Sequence, residues 1–281
     1  MTTAVFLMIL AAALVHAAWN ALVKADGDRI ALVKAMFLTQ FICSTCLIPF
    51  VPFPARQSWP YLCAGAVLGT GYMLFLNWAY RMGDLSHVYP FARGTAPLIV
   101  AIISAACLGE HMGPTGEVAV MLIAIGVVSL AMTRGGAGFC EPRPVLFSLA
   151  ASGFVAGYTI ADALGARSAG SPHGYMAWGT LLYAVLVAGC FQILHRNHKG
   201  HPAGRTRRNG VISGLMSYGS SWIVIWAFTL APIALVSALR ETSTVFAVVI
   251  GVVVLKERLS LSRWASIAAT LIGTTVLKLS R

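Results

Sequence analysis

The sequence predicts an all-α, polytopic membrane protein with about ten transmembrane helices, arranged as two inverted five-helix repeats. Three observations lead to this fold class: the composition, a series of apolar runs, and an internal repeat. Of the 281 residues, 58% are hydrophobic and only 10% are charged, and the mean hydropathy is +0.79. Soluble domains keep roughly a quarter of their residues charged. We therefore expect the exterior of this protein to face lipid.

The apolar runs have the length of membrane helices. A helix needs about 20 mostly apolar residues to cross a hydrocarbon core of about 30 Å. Helices are expected because a lone strand in lipid would leave its backbone groups unpaired. The connectors are short, so consecutive helices should be antiparallel neighbours. The predicted helices cover 4–23, 30–51, 59–80, 85–108, 117–133, 144–165, 173–194, 211–229, 233–255 and 263–279.

The formal net charge of +11 follows the loops. Most Lys and Arg residues lie in the short loops that follow the odd-numbered apolar runs, all on one side of the membrane, which argues against nucleic acid as a partner and for contact with membrane lipid. The positive-inside rule places the 195–210 loop in the cytoplasm and both termini outside. This loop carries His195, His198 and His201, but no Cys or carboxylate stands beside them. We interpret it as a solvated basic loop rather than a metal site, and we expect no metal and no cofactor.

Two further features have competing interpretations. Cys43 and Cys46 form a CxxC pattern, but they lie in an apolar span, where free thiols usually serve in packing. The first twenty residues resemble a secretory signal, yet residues 1–14 lack the basic start that such a signal needs. We therefore expect packing cysteines and an uncleaved first helix.

An internal repeat links the two halves of the chain. Residues 77–112 are echoed by residues 225–259. The alignment pairs Trp78 with Trp226, Arg93 with Arg240, Glu110 with Glu257 and, in the front halves, Asn20 with Asp162.

The repeat predicts a first copy at 1–134 and a second at 144–281. Five helices is an odd number, so the second copy enters the membrane upside down relative to the first. Inverted repeats create a pseudo-two-fold axis in the membrane plane, which is the basis of alternating access in many transporters.

Three segments carry a resemblance to a known family: HAAWN at 16–20, ARGTAPLIVAIISAACLGE at 92–110 and ALRETSTVFAVVIGVVVLKE at 238–257. In these segments the chain resembles the EamA-type permeases of the drug/metabolite transporter superfamily. The resemblance implies ten helices around a central cavity and the export or uptake of small metabolites, without naming the cargo. Thr244 stands where the first copy has Pro97, so we expect any helix kink there to be confined to the first copy.

Charged residues inside predicted spans are the main site candidates, because each costs about 2.5–3.5 kcal/mol to insert. They are Arg93, Arg240, Glu241 and Asp162. Two guanidiniums facing one cavity could bind a carboxylate, phosphate or phosphonate. Alternatively, the arginines neutralise the two acids in a structural network. Glu241 and Asp162 are also candidates for coupling to protons.

The other candidates are neutral or lie near helix ends. His16 could relay protons near neutral pH, although a hydrogen-bonded packing histidine is the favoured interpretation. Asn20, one turn further on, is a candidate polar contact for the substrate. Glu110 and Glu257 are expected to be interfacial and structural. Aromatic residues that could line the cavity, or else anchor the helices at the membrane interface, are Trp19, Tyr72, Tyr89, Tyr158 and Trp222.

Aromatic faces beside Asp162 or Glu241 would suit an ammonium group. We therefore expect a secondary active transporter in the cell inner membrane, moving an amino acid, another zwitterion or a phosphonate-like anion. An accessory membrane subunit without cargo is one alternative, and an intramembrane enzyme acting on a lipid is another. No recognised enzyme motif is present, so we do not expect an enzyme.

Overall fold

A computed structural model describes residues 1–82, 85–110, 112–132, 142–194, 203–255 and 261–279. Throughout these ranges the regular secondary structure is helical. Two short 3₁₀ turns, Ile48–Phe50 and Arg56–Ser58, lie between the second and third α-helices. The α-helices are α1 (Thr3–Ala25), α2 (Arg29–Leu47), α3 (Trp59–Met82), α4 (Leu85–Leu108), α5 (Gly113–Met132), α6 (Pro142–Ser168), α7 (Pro172–Leu194), α8 (Gly204–Phe228), α9 (Ile233–Arg240), α10 (Ser243–Leu255) and α11 (Leu261–Leu279).

Six segments of the described chain are long and apolar enough to cross a membrane. They are Thr3–Ala25, Arg29–Phe50, Leu149–Ser168, Pro172–Leu194, Gly204–Phe228 and Ile233–Val252. The last of these joins α9 and α10 into one span. Shorter apolar helices lie within α4, α5 and α11, at Arg93–Leu108, Gly113–Ser129 and Trp264–Leu279. With α3, the described helices form ten helical segments, as the sequence predicted.

Helix ends agree with the sequence where the apolar signal is sharp and differ where charges extend a helix. The bounds of α4 are those predicted, 85–108. In contrast, α8 begins at Gly204 instead of the predicted 211. Arg205, Arg207 and Arg208 are therefore helical and exposed, because arginine is a good helix former whose charged end can reach water. The prediction that residues 204–210 form a loop is wrong.

The ninth span, which consists of α9 and α10, is interrupted at its centre, between Arg240 and Ser243. The N–H groups of Glu241 and Thr242 donate to the carbonyls of Ala238 and Leu239, three residues back. The Thr242 hydroxyl donates to the Leu239 carbonyl at 2.7 Å as well. This 3₁₀ turn lies just before Thr244 and interrupts the second copy, whereas α4 is one helix across Pro97.

The helices pack with a pseudo-two-fold pattern. α3 packs against α6 and α8 packs against α1, while α2 packs against α8 and α7 packs against α3. α4 contacts α6, and correspondingly α9 and α10 contact α1. Exchanging the first five spans for the second five reproduces these contacts. Since each copy has an odd number of spans, the two copies are inverted relative to each other.

Close helix contacts depend on small residues. A Cβ at Gly210 would lie 2.9 Å from the Leu32 carbonyl oxygen, and one at Gly214 would lie 2.8 Å from that of Met36. No larger side chain fits there without moving α2. The four-residue glycine spacing therefore lets α8 approach the backbone of α2.

One end of the protein is joined through Asp26, which follows α1. The Asp26 carboxylate accepts hydrogen bonds from the Thr206 hydroxyl and the Asn209 amide, both at 2.9 Å. The backbone N–H of Asp28 donates to it at 3.1 Å. These contacts place the loop between α1 and α2 beside the start of α8, at what we term the Asp26 end.

The opposite end, the Arg167 end, contains a network between loops. Arg167 Nε donates to the Phe228 carbonyl at 2.7 Å, and Nη2 donates to the Ala231 carbonyl at 2.9 Å. Its Nη1 forms an ion pair with Glu110, whose second oxygen accepts from the backbone N–H of Ile233 at 2.9 Å. This Arg167 network ties the ends of α4, α6 and α8 to the start of α9.

Candidate functional site

A buried ion pair lies where α4 meets the break in the ninth span. Arg93 Nε is 3.0 Å from Glu241 Oε2. Arg93 is 4% exposed and Glu241 is 2% exposed. Glu241 follows α9 and can leave the helical path because of the 3₁₀ turn. Of the two predicted alternatives for Arg93, this geometry is the one in which an arginine neutralises a buried acid.

Arg240 differs from Arg93 although the repeat aligns them. Its side chain is half-buried, and within the described part of the chain no hydrogen bond or ion pair is formed by its guanidinium. Its charge is close enough to act on His16, Asp162 and Glu241. The structure thus gives one engaged guanidinium and one that can accept an anion.

The α1 candidates form a small group near these arginines. The His16 and Trp19 rings meet edge to face, with centroids 4.9 Å apart. The side-chain amide of Asn20 donates to the His16 carbonyl at 2.8 Å, so its nitrogen is partly engaged within the helix. The Trp19 indole N–H is buried and meets no acceptor among the described residues.

Asp162 lies on α6 with a partner that the sequence analysis did not single out. The Tyr175 hydroxyl, on α7, donates to Asp162 Oδ1 at 3.3 Å. Gly65, on α3, leaves room for this carboxylate, because a Cβ there would lie 2.5 Å from Asp162 Oδ1. Gly165 leaves room for the Tyr175 ring, which would contact any Cβ at that position. No periodicity in the sequence marks Tyr175, since its partner depends on the packing of α6 against α7.

The aromatic candidates separate into distinct places. The rings of Tyr72 and Tyr158 are neighbours, with centroids 6.2 Å apart. Tyr183, also missed from the sequence, lies close enough to Tyr158 and Asp162 for electrostatic interaction. Trp222 instead donates from its indole nitrogen to His173 Nδ1 at 2.7 Å, near the start of α7.

Some predicted residues lie outside the described parts. They are the side chain of Tyr89, the residue Glu257, and the three histidines of the 195–210 loop. Among the described residues, no three His, Cys, Asp or Glu side chains are grouped so that they could hold a metal ion.

The sequence matches the EamA-like transporter family over residues 3–132 and 143–279. The chain belongs to the EamA-like transporter family. Members of this family are membrane transporters of small molecules, so the polar residues at the centre of the fold lie in a multi-pass transporter surrounded by lipid.

The structure agrees with this EamA assignment at the level of the fold. One solved crystal structure superposes on 99% of this chain, and the match covers 98% of the chain in that structure. The TM-score is 0.77 and the sequence identity is 20%. This likeness shows a shared fold alone. No curated protein matches the EamA chain in sequence.

Proposed function

We propose that this protein is a secondary active transporter of the cell inner membrane. It moves a small polar metabolite, either an amino acid, another zwitterion or a phosphonate-like anion, by alternating access. The two copies, at 1–134 and 144–281, are the moving units of this proposal. The substrate lies between them, near the break in the ninth span.

The observation that carries the proposal is that Arg240 has no ion-pair partner among the described residues. A charge within the membrane costs about 2.5–3.5 kcal/mol on insertion scales and is usually paired or functional. Arg93 is paired with Glu241, whereas the half-buried Arg240 has no such partner among the described residues. An anionic substrate group bound to Arg240 would offset the cost of placing this guanidinium in the membrane.

A second support is the buried Trp19 indole N–H, which is a donor awaiting an acceptor. Trp19 contacts His16, and the Arg240 charge acts on the same histidine. A carboxylate or phosphonate bound in this region could accept a hydrogen bond from Trp19. Because Glu241 is already paired, Asp162 and His16 are the stronger candidates for coupling to protons.

The test is uptake of labelled amino acids and phosphonates by proteoliposomes that contain the purified protein. Arg240→Ala should abolish uptake without lowering the melting temperature, because no described hydrogen bond or ion pair is lost, and Arg240→Lys should retain a part of the activity. Arg205→Ala, an exposed arginine on α8, is the matched control. Full uptake by Arg240→Ala would refute the assignment, and loss of folding would refute the claim that Arg240 lacks a structural partner.

A further inference from the structure

A half-buried carboxylate on α6, Asp162, forms no ion pair with the described residues, and the Arg240 charge acts on it only from beyond ion-pair distance. Asp162 is not part of an ion pair within the described chain, where the pairs are Arg93 with Glu241 and Arg167 with Glu110. The one side chain that donates to it is the Tyr175 hydroxyl, at 3.3 Å. A hydroxyl of this kind orients a carboxylate without neutralising it.

Three tyrosines on three helices surround the same region. Tyr158 precedes Asp162 by one helical turn and therefore shares its face of α6. On α3, Gly65 meets Asp162, and Tyr72, two turns further along, meets Tyr158 with ring centroids 6.2 Å apart.

Tyr183 comes from α7 and completes the group. Its ring packs over Gly69 of α3, where a Cβ would lie 3.1 Å from the ring edge. It is close enough to interact electrostatically with both Tyr158 and Asp162. Like Tyr72 and Tyr158 it is half-buried, so these tyrosines keep part of their surface uncovered.

This combination favours one kind of ligand group. A carboxylate repels an anion, and the electron-rich faces of aromatic rings attract a cation. In a site that excludes most water, both effects are stronger than on a protein surface. A neutral hydroxyl compound would gain little from either.

We propose that Asp162, Tyr72, Tyr158 and Tyr183 form a subsite for an ammonium group of the substrate. The inference rests on the proposed transport function and narrows it. With Arg240 receiving the acidic group, the substrate is an amine that also carries an acid, and a phosphonate without an amine is excluded. Tyr175 is a positioning residue, because it touches Asp162 and is itself 1% exposed.

The experiment measures ligand binding to the purified full chain in detergent, so that it does not depend on flux. The probes are amino acids with small and large side chains, each compared with its decarboxylated amine and its deaminated acid. Leucine, isoamylamine and isocaproate make one such set. Asp162→Asn should weaken the binding of leucine and isoamylamine at least about tenfold, as expected for loss of a charged contact, and leave isocaproate unchanged.

Conservative variants separate the aromatic faces from simple packing. Tyr183→Phe keeps the ring and should bind isoamylamine as the native protein does, whereas Tyr183→Leu should weaken that binding. Tyr61→Leu, on the same helix as Tyr72 but in its first turn, is the control and should leave the binding of isoamylamine unchanged.

Three outcomes would overturn the subsite. One is a native protein that binds no amine in the panel, and another is an Asp162→Asn variant that binds amines normally. The third is an Asp162→Asn variant that loses only the pH dependence of uptake, which would make Asp162 a proton carrier. In each case, uptake of a deaminated acid by native proteoliposomes would leave the proposed transport function standing.

Discussion

Arg93 of the first copy forms a buried ion pair with Glu241 of the second, with 3.0 Å between Nε and Oε2. The pair joins the middle of α4 to the break in the ninth span. It thus connects the two inverted copies at the level where the candidate site lies. In the repeat alignment Arg93 corresponds to Arg240, yet only Arg93 forms an ion pair within the described chain, so the repeat does not give the two arginines the same partners.

This ion pair predicts strong coupling between its two residues. Arg93→Leu alone should lower the melting temperature markedly, since removing one partner of a buried pair costs about 3–5 kcal/mol. The double variant with Glu241→Leu should recover much of the loss, because no lone charge remains. Thermal unfolding followed by size-exclusion chromatography in detergent measures both variants, with Arg205→Leu as an exposed control. Additive losses in the double variant would contradict the coupling.

The Arg167 network predicts a separate effect on stability. Arg167→Ala removes an ion pair with Glu110 and the donors to two carbonyls, those of Phe228 and Ala231. Each hydrogen bond to a charged group contributes about 1.5–3 kcal/mol, so the melting temperature should fall clearly. Arg56→Ala, which removes an exposed arginine at the start of the second 3₁₀ turn at the same end, should have little effect. Equal melting temperatures for the two variants would show that the network contributes nothing.

The Asp26 end predicts a pH effect. The hydrogen bond from Asn209 is the main cause that lowers the pKa of Asp26, and bonds from Asp28 and Thr206 act in the same direction. A carboxyl group with a lower pKa in the folded state stabilises the fold above its unfolded pKa of about 3.9. That contribution disappears as the pH falls through the folded pKa.

The native protein should therefore melt above Asp26→Asn at neutral pH, and the difference should shrink below about pH 4. Thermal unfolding across this range measures it. In a protein that carries Asn209→Leu, Asp26→Asn should lower the melting temperature at neutral pH by less than it does in the native protein. A melting-temperature difference that stays constant as the pH falls below about 4 would mean that the carboxylate charge has no part in the contact.

Glycines on α6 provide a matched pair of variants. Gly165→Ala places a Cβ against the Tyr175 ring, and overpacking of this kind costs about 1–3 kcal/mol. It should also weaken amine binding, because Tyr175 positions Asp162. Gly153→Ala, on the same helix with nothing within 4 Å of the new Cβ, should be neutral or stabilising. The melting temperature and the binding of isoamylamine are measured for both variants. If Gly165→Ala changed neither quantity, the packing of Tyr175 against Gly165 would be contradicted.

Long apolar runs made most of the helices predictable, because hydrophobicity over about 20 residues is a local property of the sequence. The bounds of α4 illustrate this, and the start of α8 shows where it fails. Arg205, Arg207 and Arg208 were interpreted as loop residues because they are charged. A helix can nevertheless begin in the interfacial region with its arginines directed towards water.

The site was predictable in its residue types and not in its partners. The charge pattern indicated Arg93, Arg240 and Glu241 from the sequence. Which arginine meets Glu241 depends on the packing of α4 against the ninth span, and on a 3₁₀ turn that Thr242 helps to form. Tyr175 and Tyr183 were missed for the same reason, since a tyrosine in an apolar span carries no local sign of what it contacts.

The Arg167 network also constrains how the protein is made. Glu110 is synthesised well before Arg167, and the carbonyls and N–H group that these side chains bind lie in the chain from Phe228 to Ile233. Once α6 is made, Arg167 and Glu110 can pair with each other, but the other Arg167 donors and the second Glu110 oxygen have no chain partner until the segment from Phe228 to Ile233 is synthesised. The arrival of the ninth span therefore completes the first half of the protein as well as the second, and a nascent chain that stalls before it would leave both halves unfinished.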